Sequence, residues 1–495
     1  FLDLVPLQTG AVIAASGAQV SSHGYGQKLS ISGTRYSSNV FLLDGAVTND
    51  FFNGAGSAAG TVAGVETVRE FRVITNAFDA EYGRHTGGVI SAITKSGTND
   101  FHGSLFEFLR NSKLDAPRWE DNARNQGRKQ PFRRNQFGAT FGGPAVKDQT
   151  FFFGSFEALR ESLGSTLTFT VPGVGVRARP GTAATVVPYL QAFPLPTTAD
   201  RADGSAQYSA GSKRITDQNF YTARVDHRFN DSDSIFGRLT IDNADRDNPL
   251  VNGFNTTEQT GTNSRFITVE QAHIYSPSVL GTTHFSFSRT HNTAYDRALP
   301  GFTFPRFTFG GSPDVPGRIT IGGGYSAWGG NNFNPKDFVQ NLLQSKEDLH
   351  VTAGAHTLKA GLYFERIQYN MRSDVNAGGT FAFSNINDFL TGTVNTATFI
   401  QPGSDNIRGW RENLAALYLQ DDWNLRPGLT LNAGVRYEFI STPKEVNGKV
   451  ANIRDLTPAH LYTVKPDQTD VGDPYFVNPS LKNFAPRVGL AWSPF

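Results

Sequence analysis

The side chains that most often carry chemistry are present in this sequence, but their spacing assembles no reaction centre. Ten histidines occur without an H-E-x-x-H pair or any other zinc spacing. Lys95-Ser96 lacks the upstream glycines of a phosphate-cradling loop, and Gly54 and Gly56 do not complete G-x-G-x-x-G. No G-x-S-x-G elbow exposes a serine. Cysteine is absent, which removes thiolate nucleophiles, zinc–thiolate sites and disulfides. Asp421 and Asp422 are neighbours, so on a strand they face opposite ways and cannot work as a carboxylate pair. Asp242, Asp245 and Asp247, and Asp231 with Asp233, offer the oxygen ligands that Ca²⁺ takes, but neither set fits an EF-hand loop and Asn/Asp-rich turns account for both. The expectation is a protein that is not an enzyme and holds no cofactor or metal.

Binding chemistry is better represented. Between 110 and 134, Arg110, Lys113, Arg118, Arg124, Arg128, Lys129, Arg133 and Arg134 face only Asp115, Glu120 and Asp121. Within this run, Arg124, Arg128, Lys129, Arg133 and Arg134 are candidates for holding lipopolysaccharide phosphates or an anionic substrate through charge-assisted hydrogen bonds. The plainer alternative is a solvated charge run. The chain as a whole carries only +1, which argues against a general nucleic-acid-binding field.

The elements that would position these groups are strands. The 495 residues include 51 Gly and 40 Phe, aromatics reach 12% and charged residues only 18%, a balance that suits β-structure. No stretch approaches the 18 or more apolar residues of a spanning helix, which excludes a helical membrane protein and leaves a β-barrel open. From about Phe101 onward, apolar and polar residues alternate with period 2. Leu431, Ala433, Val435, Tyr437 and Phe439 share one face, while Asn432, Gly434, Arg436 and Glu438 share the other. Arg224, Asp226 and Arg228, then Arg238, then Lys359 and Glu365 fall on the polar face of similar segments. Twelve such strands begin near 101, 135, 151, 217, 232, 264, 278, 341, 355, 410, 428 and 483.

The connections alternate in length. Short ones carry turn chemistry, such as Asn230-Asp231, Ala353-Gly354 and Arg426-Pro427-Gly428, and long ones fall near 111–134, 163–216, 243–263, 291–340, 371–409 and 442–482. Short inner turns and long outer loops are the habit of outer-membrane barrels. A strand of about 11 residues, tilted by ~40°, rises roughly 28 Å, close to the apolar band of such barrels. On this reading Arg224, Arg238, Arg436 and Glu438 face the lumen. Trp119, Trp410, Trp423 and Trp492 lie near strand ends, where they would suit interfacial girdles. Residues 1–98 have a different texture, rich in Gly, Ala, Ser, Thr and Val, and read as a small α+β unit. Val65, Val68 and Phe71 within 62–75 have the spacing of one short helix.

Several stretches resemble the plug domain of TonB-dependent outer-membrane transporters. They are Ile31-Ser32-Gly33-Thr34-Arg35 with Asn39 to Gly45, Val65 to Val73, Ala80-Glu81-Tyr82-Gly83, and Gly87-Gly88-Val89-Ile90-Ser91-Ala92-Ile93-Thr94-Lys95-Ser96-Gly97. The extension through Thr98-Asn99-Asp100-Phe101-His102-Gly103, with Gln420-Asp421-Asp422-Trp423 and Gly434-Val435-Arg436-Tyr437-Glu438, resembles the Oar-like subgroup. The resemblance implies a mainly β protein: a plug over 1–98, lacking its beginning, then over 99–495 the N-terminal half of an antiparallel barrel of about 22 strands. It further implies plug arginines paired with barrel glutamates, with Arg72 and Arg35 as the latch candidates by motif position. The expected function is energy-coupled uptake of a large scarce nutrient of the siderophore, cobalamin or glycan class in the bacterial outer membrane. The expected partners are outer-membrane lipid and lipopolysaccharide, and a TonB-type complex engaging a segment before the plug. An adhesion or signalling barrel without transport is the alternative, and a secreted soluble β-protein that binds glycans is another. Residue 1 is Phe and the chain closes on Ala491-Trp492-Ser493-Pro494-Phe495, so a fragment is expected.

Overall fold

The computed structural model describes residues 2–13, 28–52, 54–60, 64, 66–75, 79–117, 119, 129–304, 306–307, 315–401, 403–465, 468–477 and 480–493. In the N-terminal unit, β1 (Val40–Leu43), β2 (Ala46–Val47), β3 (Val68–Ile74) and β4 (Val89–Thr94) form a sheet of order β2-β1-β4-β3. β1 and β4 run parallel, and β3 is antiparallel to β4. Asp44 and Gly45, with φ of 44° and 80°, make the two-residue turn between β1 and β2. Positive φ at both central positions is what Asp-Gly supplies in a primed hairpin turn. Of the helix expected within 62–75, Val65 lies outside the described residues, and Val68–Ile74 is instead the strand β3. A bulge between Val68 and Glu70 brings Val68 and Phe71 onto one half-buried side, so a spacing of three becomes compatible with a strand.

Twelve long strands then follow: β5 (His102–Asn111), β6 (Phe132–Val146), β7 (Thr150–Pro172), β8 (Ser205–Arg228), β9 (Asp233–Pro249) and β10 (Thr256–Ser276), then β11 (Val279–Ala298), β12 (Lys336–Ala353), β13 (His356–Ser373), β14 (Ile407–Arg426), β15 (Leu429–Ile440) and β16 (Phe484–Trp492). They pair antiparallel in strict chain order from β5 to β16, and a two-residue strand, Lys444–Glu445, adds to β14. Every second connection is short. Gly354 (φ 61°) and Gly428 (φ 76°) make two of these turns possible. Five of the six long connections are shorter than the sequence suggested, the last one excepted: 243–263 shrinks to 250–255, because β9 and β10 stay paired up to Pro249–Thr257.

The wall inverts the burial order of a soluble sheet. Its polar side is covered and its apolar side is bare: Glu365 is 1% exposed while Leu362 on the other face is 62% exposed. Thr222, Thr240, Thr268, Ser288 and Gln344 are buried, whereas Val225, Leu239, Phe285, Leu417 and Leu419 are exposed. The N-terminal unit covers the polar side, and its apolar core of Val5, Leu29, Ile31, Phe41 and Ile90 takes in Phe266 from β10. At the other end of the strands, four long connections fold into a second core. Phe193, Phe254, Trp328 and Phe389 meet there, and Arg318–Ile321 pairs in parallel with Thr380–Phe383 to join two of the connections.

Candidate functional site

The densest set of functional side chains lies where the N-terminal unit meets the polar side of the wall. The β1–β2 turn points Asp44 at the wall. Its carboxylate accepts the Thr94 backbone N–H and the Thr94 hydroxyl, both at 2.8 Å, which fixes its direction. Two wall arginines converge on it, Arg238 Nη1 at 3.1 Å and Arg224 Nη1 at 3.5 Å. Arg238 is also held by Thr268 (2.6 Å). Arg224 is clamped by Asp226 at 2.7 Å and lies over the Phe236 ring at 4.0 Å. All three ionic groups of the Asp44 cluster are buried or nearly so, so water screens the pairing weakly.

A second contact is made by 79–84, which crosses five wall strands from β12 to β16. Lys359 donates to Asp79 (2.7 Å), Lys346 lies 3.5 Å from Glu81, and the Ala80 N–H donates to Gln420 (2.7 Å). Arg436 Nη1 donates to the carbonyls of Ala80 (3.2 Å) and Glu81 (3.0 Å), and Arg487 donates to that of Tyr82 (2.6 Å). Arg84 pairs with Glu365, and its backbone N–H donates to Glu438 (3.1 Å). Gly83 is required by the closeness of this contact, since a Cβ there would sit 2.0 Å from Glu438 Oε1 and 2.1 Å from Arg436 Nε.

The electrostatics of the unit follow from this packing. Burial pushes the Asp79 carboxyl up, but hydrogen bonds from Lys359 and Gln420 and the Lys359 charge outweigh it and hold Asp79 below the usual range. Burial, and secondarily the Arg84 charge, pull His85 down to about 4. Burial raises Asp50, against the Gly54 and Phe52 N–H groups and the Lys28 charge, and Asn292 of the wall donates to it at 3.2 Å.

The structure places Arg224, Arg238, Arg436 and Glu438 on the covered face, each in contact with the N-terminal unit or with a side chain that is. It places Arg72 and Arg35 elsewhere: both are exposed, and neither meets a carboxylate among the described residues. Two opposite polarities occupy the interface instead, a unit arginine on a wall glutamate (Arg84–Glu365) and a unit carboxylate between wall arginines (Asp44). Asp44 carries a turn signal in the sequence and nothing that marks it as a charge partner. Arg84 directly follows the Ala80-Glu81-Tyr82-Gly83 motif, which is the one signal that could have found it.

In the basic connection, Arg124 and Arg128 lie outside the described residues. Lys129 donates to the Asp115 carbonyl (2.6 Å). Arg133 and Arg134 are not in the connection but on β6, whose ladder begins at Phe132; Arg133 is exposed and Arg134 lies 3.9 Å from Glu161. Asp242 turns inward to Gln218 (2.8 Å), while Asp245 and Asp247 stand on alternate positions facing the other way, so the three do not gather. Trp423 and Trp492 face outward. Trp410 instead lines a cleft with Phe51, Arg84, Tyr369, Glu412 and Tyr475, at the strand ends that carry the long connections. Phe51 stacks on Tyr369 at 3.9 Å, and Trp410 lies 5.1 Å from Tyr475.

Comparison with known proteins gives the following. Residues 93–495 match the family model described as "Outer membrane beta barrel domain". The TonB-dependent transporter Oar of Myxococcus xanthus is 26% identical over 491 residues, covering 86% of this chain and 44% of that protein. The chain thus spans less than half the length of that curated relative. The outer membrane transporter YddB from Escherichia coli has the same fold at 14% identity and a TM-score of 0.55, over 89% of this chain and 54% of that one. FpvA of P. aeruginosa does so at 13% identity and a TM-score of 0.54, over 98% and 51%.

Proposed function

Because this chain belongs to the outer-membrane β-barrel family, we propose that it is part of a TonB-dependent receptor that takes up a large scarce nutrient, with residues 1–98 as the plug of its barrel. The observation that carries this reading is the ionic contact between unit and wall, Asp44 with Arg224 and Arg238, and Arg84 with Glu365. A gate must close the lumen and yet yield when pulled. Polar contacts suit that task, because water replaces each one as it breaks, whereas separating an apolar interface leaves bare surface. The pull would come from a TonB-type complex acting on a segment before the unit.

The nutrient would enter at the cleft of Phe51, Tyr369, Trp410 and Tyr475, with Arg84 and Glu412 as its charged groups. Ring faces of this kind stack on aromatic chelates and on sugars alike, which supports the siderophore, cobalamin and glycan classes. Arg84 joins that cleft to the Glu365 contact, so an occupant touching Arg84 would bear directly on the gate.

A covalent lock tests the gate. Thr67 and Ser155 face each other with hydroxyl oxygens 2.6 Å apart, and the chain has no cysteine of its own. With Thr67→Cys and Ser155→Cys, oxidised cells should bind nutrient from a panel of ferric siderophores, cobalamin and oligosaccharides but take none up, and reduction should restore uptake. Undiminished uptake by the oxidised protein would reject a moving plug.

A further inference from the structure

Along the outward face, four neighbouring or near-neighbouring strands change from apolar to polar as they near the long connections. β10 reads Val269, Ile267, Arg265, and β11 reads Phe285, Phe287, Arg289. β13 reads Leu362, Phe364, Arg366, and β14 reads Leu417, Ala415, Asn413, Arg411. The register aligns these transitions. Arg265, Arg289, Asn341, Gln368 and Arg411 are successive cross-strand partners in one row from β10 to β14, and Arg366 opposite Asn413 lies one outward position below.

Each arginine of this belt is steered by an asparagine side chain that also faces outward. Arg265 and Arg289 donate to Asn243 and Asn341, both at 2.9 Å. Arg366 donates to Asn413 at 2.9 Å and Arg411 to Asn370 at 3.0 Å. Arg160 on β7 repeats the arrangement with Asn219 at 2.7 Å and additionally lies 3.7 Å from Asp217. A neutral amide orients a guanidinium without cancelling its charge. Among the described residues, Arg265, Arg289, Arg366 and Arg411 form no ion pair with a carboxylate. Arg265 and Arg289 are moreover direct cross-strand partners, an arrangement of like charges that disfavours the sheet.

Four oriented cations with no carboxylate in ion-pair contact, at the upper edge of an outward apolar band, offer a site for an anion supplied from the membrane. We propose that this belt binds the phosphate groups of an outer-leaflet glycolipid, with Arg265 and Arg289 sharing one phosphate. The guanidinium fork matches phosphate geometry with two parallel N–H···O bonds. A shared phosphate turns the Arg265–Arg289 repulsion into a bridge. The phosphate is held at the height where acyl chains meet Phe287, Ile267 and Phe364, so charge and hydrocarbon are recognised together. This site is distinct from the basic connection over 110–134 and lies on the wall itself.

The test uses the full chain purified in detergent and native mass spectrometry to count bound lipid. Three probes are compared: bisphosphorylated lipid A, the same lipid with both phosphates removed, and inorganic phosphate. The phosphorylated lipid should bind about tenfold or more tightly than the dephosphorylated one, the scale of one good charge-assisted contact. The double variant Arg265→Gln/Arg289→Gln should erase most of that preference. Equal binding of the two lipids by the unaltered protein would overturn the proposal without recourse to any variant. So would an unchanged preference in the double variant, or displacement of lipid A by equimolar inorganic phosphate, which would mark a small-anion site.

Discussion

At the scale of single residues, the interface is governed by buried charge. Asp44 lies between two wall arginines, Arg224, which Asp226 also pairs, and Arg238, whose side chain has 0% exposure. Asp44→Asn keeps the shape and most hydrogen bonds but leaves Arg238 as a buried charge without its partner. Breaking a buried pair from one side costs about 3–5 kcal/mol. We expect the N-terminal unit to release at lower denaturant in a detergent-solubilised unfolding series, and adding Arg238→Gln to recover part of the loss. A midpoint unchanged in Asp44→Asn would show that the pairing does not hold the unit.

His85 gives the same interface a pH dependence. Its folded value of about 4 lies below the ordinary 6.5, so folding favours the neutral ring. Its contribution is therefore complete above about pH 6.5 and is lost as pH falls toward 4, because the unfolded state takes up the proton first. The protection factors of residues 79–94, exchange rates divided by the intrinsic rate at each pH, should fall between pH 7 and pH 5, and His85→Gln should flatten that change. The opposite trend, lower protection at pH 7 than at pH 5, would contradict the sign.

At the scale of elements, legibility follows how long one face keeps a single character. All twelve wall strands declare themselves where outward apolar and covered polar positions alternate, as Ile235, Leu239 and Ile241 do against Arg238, Thr240 and Asp242. Above Ile241 the outward positions become Asn243, Asp245 and Asp247, so the apolar marker ends while the hydrogen-bond ladder runs on to Pro249. The sequence therefore shows the membrane-height part of each strand and hides its outer extension. Arg224, Arg238, Arg436 and Glu438 can be put on the polar face by period alone. Asp44 and Arg84 cannot be put opposite them, because that depends on the course of irregular segments across a non-local interface.

The connections show the same limit. Nothing in 318–321 or 380–383 announces that two strands from different connections pair in parallel. If they form one rigid cap, Thr320→Cys with Ala382→Cys, which are register partners, should crosslink on mild oxidation. Trp328→Ala, which empties the shared core, should cost about 3–5 kcal/mol and slow that crosslink. Failure of the cysteines to join in the otherwise unaltered protein would mean that the connections move independently.

At the scale of the whole molecule, the inverted wall is the decisive feature. A soluble sheet hides its leucines, and here the hidden face is threonine, serine, glutamine and paired charge, because the N-terminal unit fills the concave side with polar partners. The outward leucines then need a solvent as apolar as themselves. Leu417, 51% exposed on the outward face between Leu362 and Tyr437, marks the middle of the band. Leu417→Arg should lower the stability of the protein refolded into phospholipid vesicles by about 2–4 kcal/mol, the cost of a cation near the bilayer midplane. The same change at Val435, also outward and one register step nearer the inner turns, should cost less, since the penalty falls with distance from the midplane. In a water-facing sheet both substitutions would leave the unfolding midpoint where it was. That result would remove the lipid-facing assignment, and with it the reason for a row of unpaired arginines to stand along the band's upper edge.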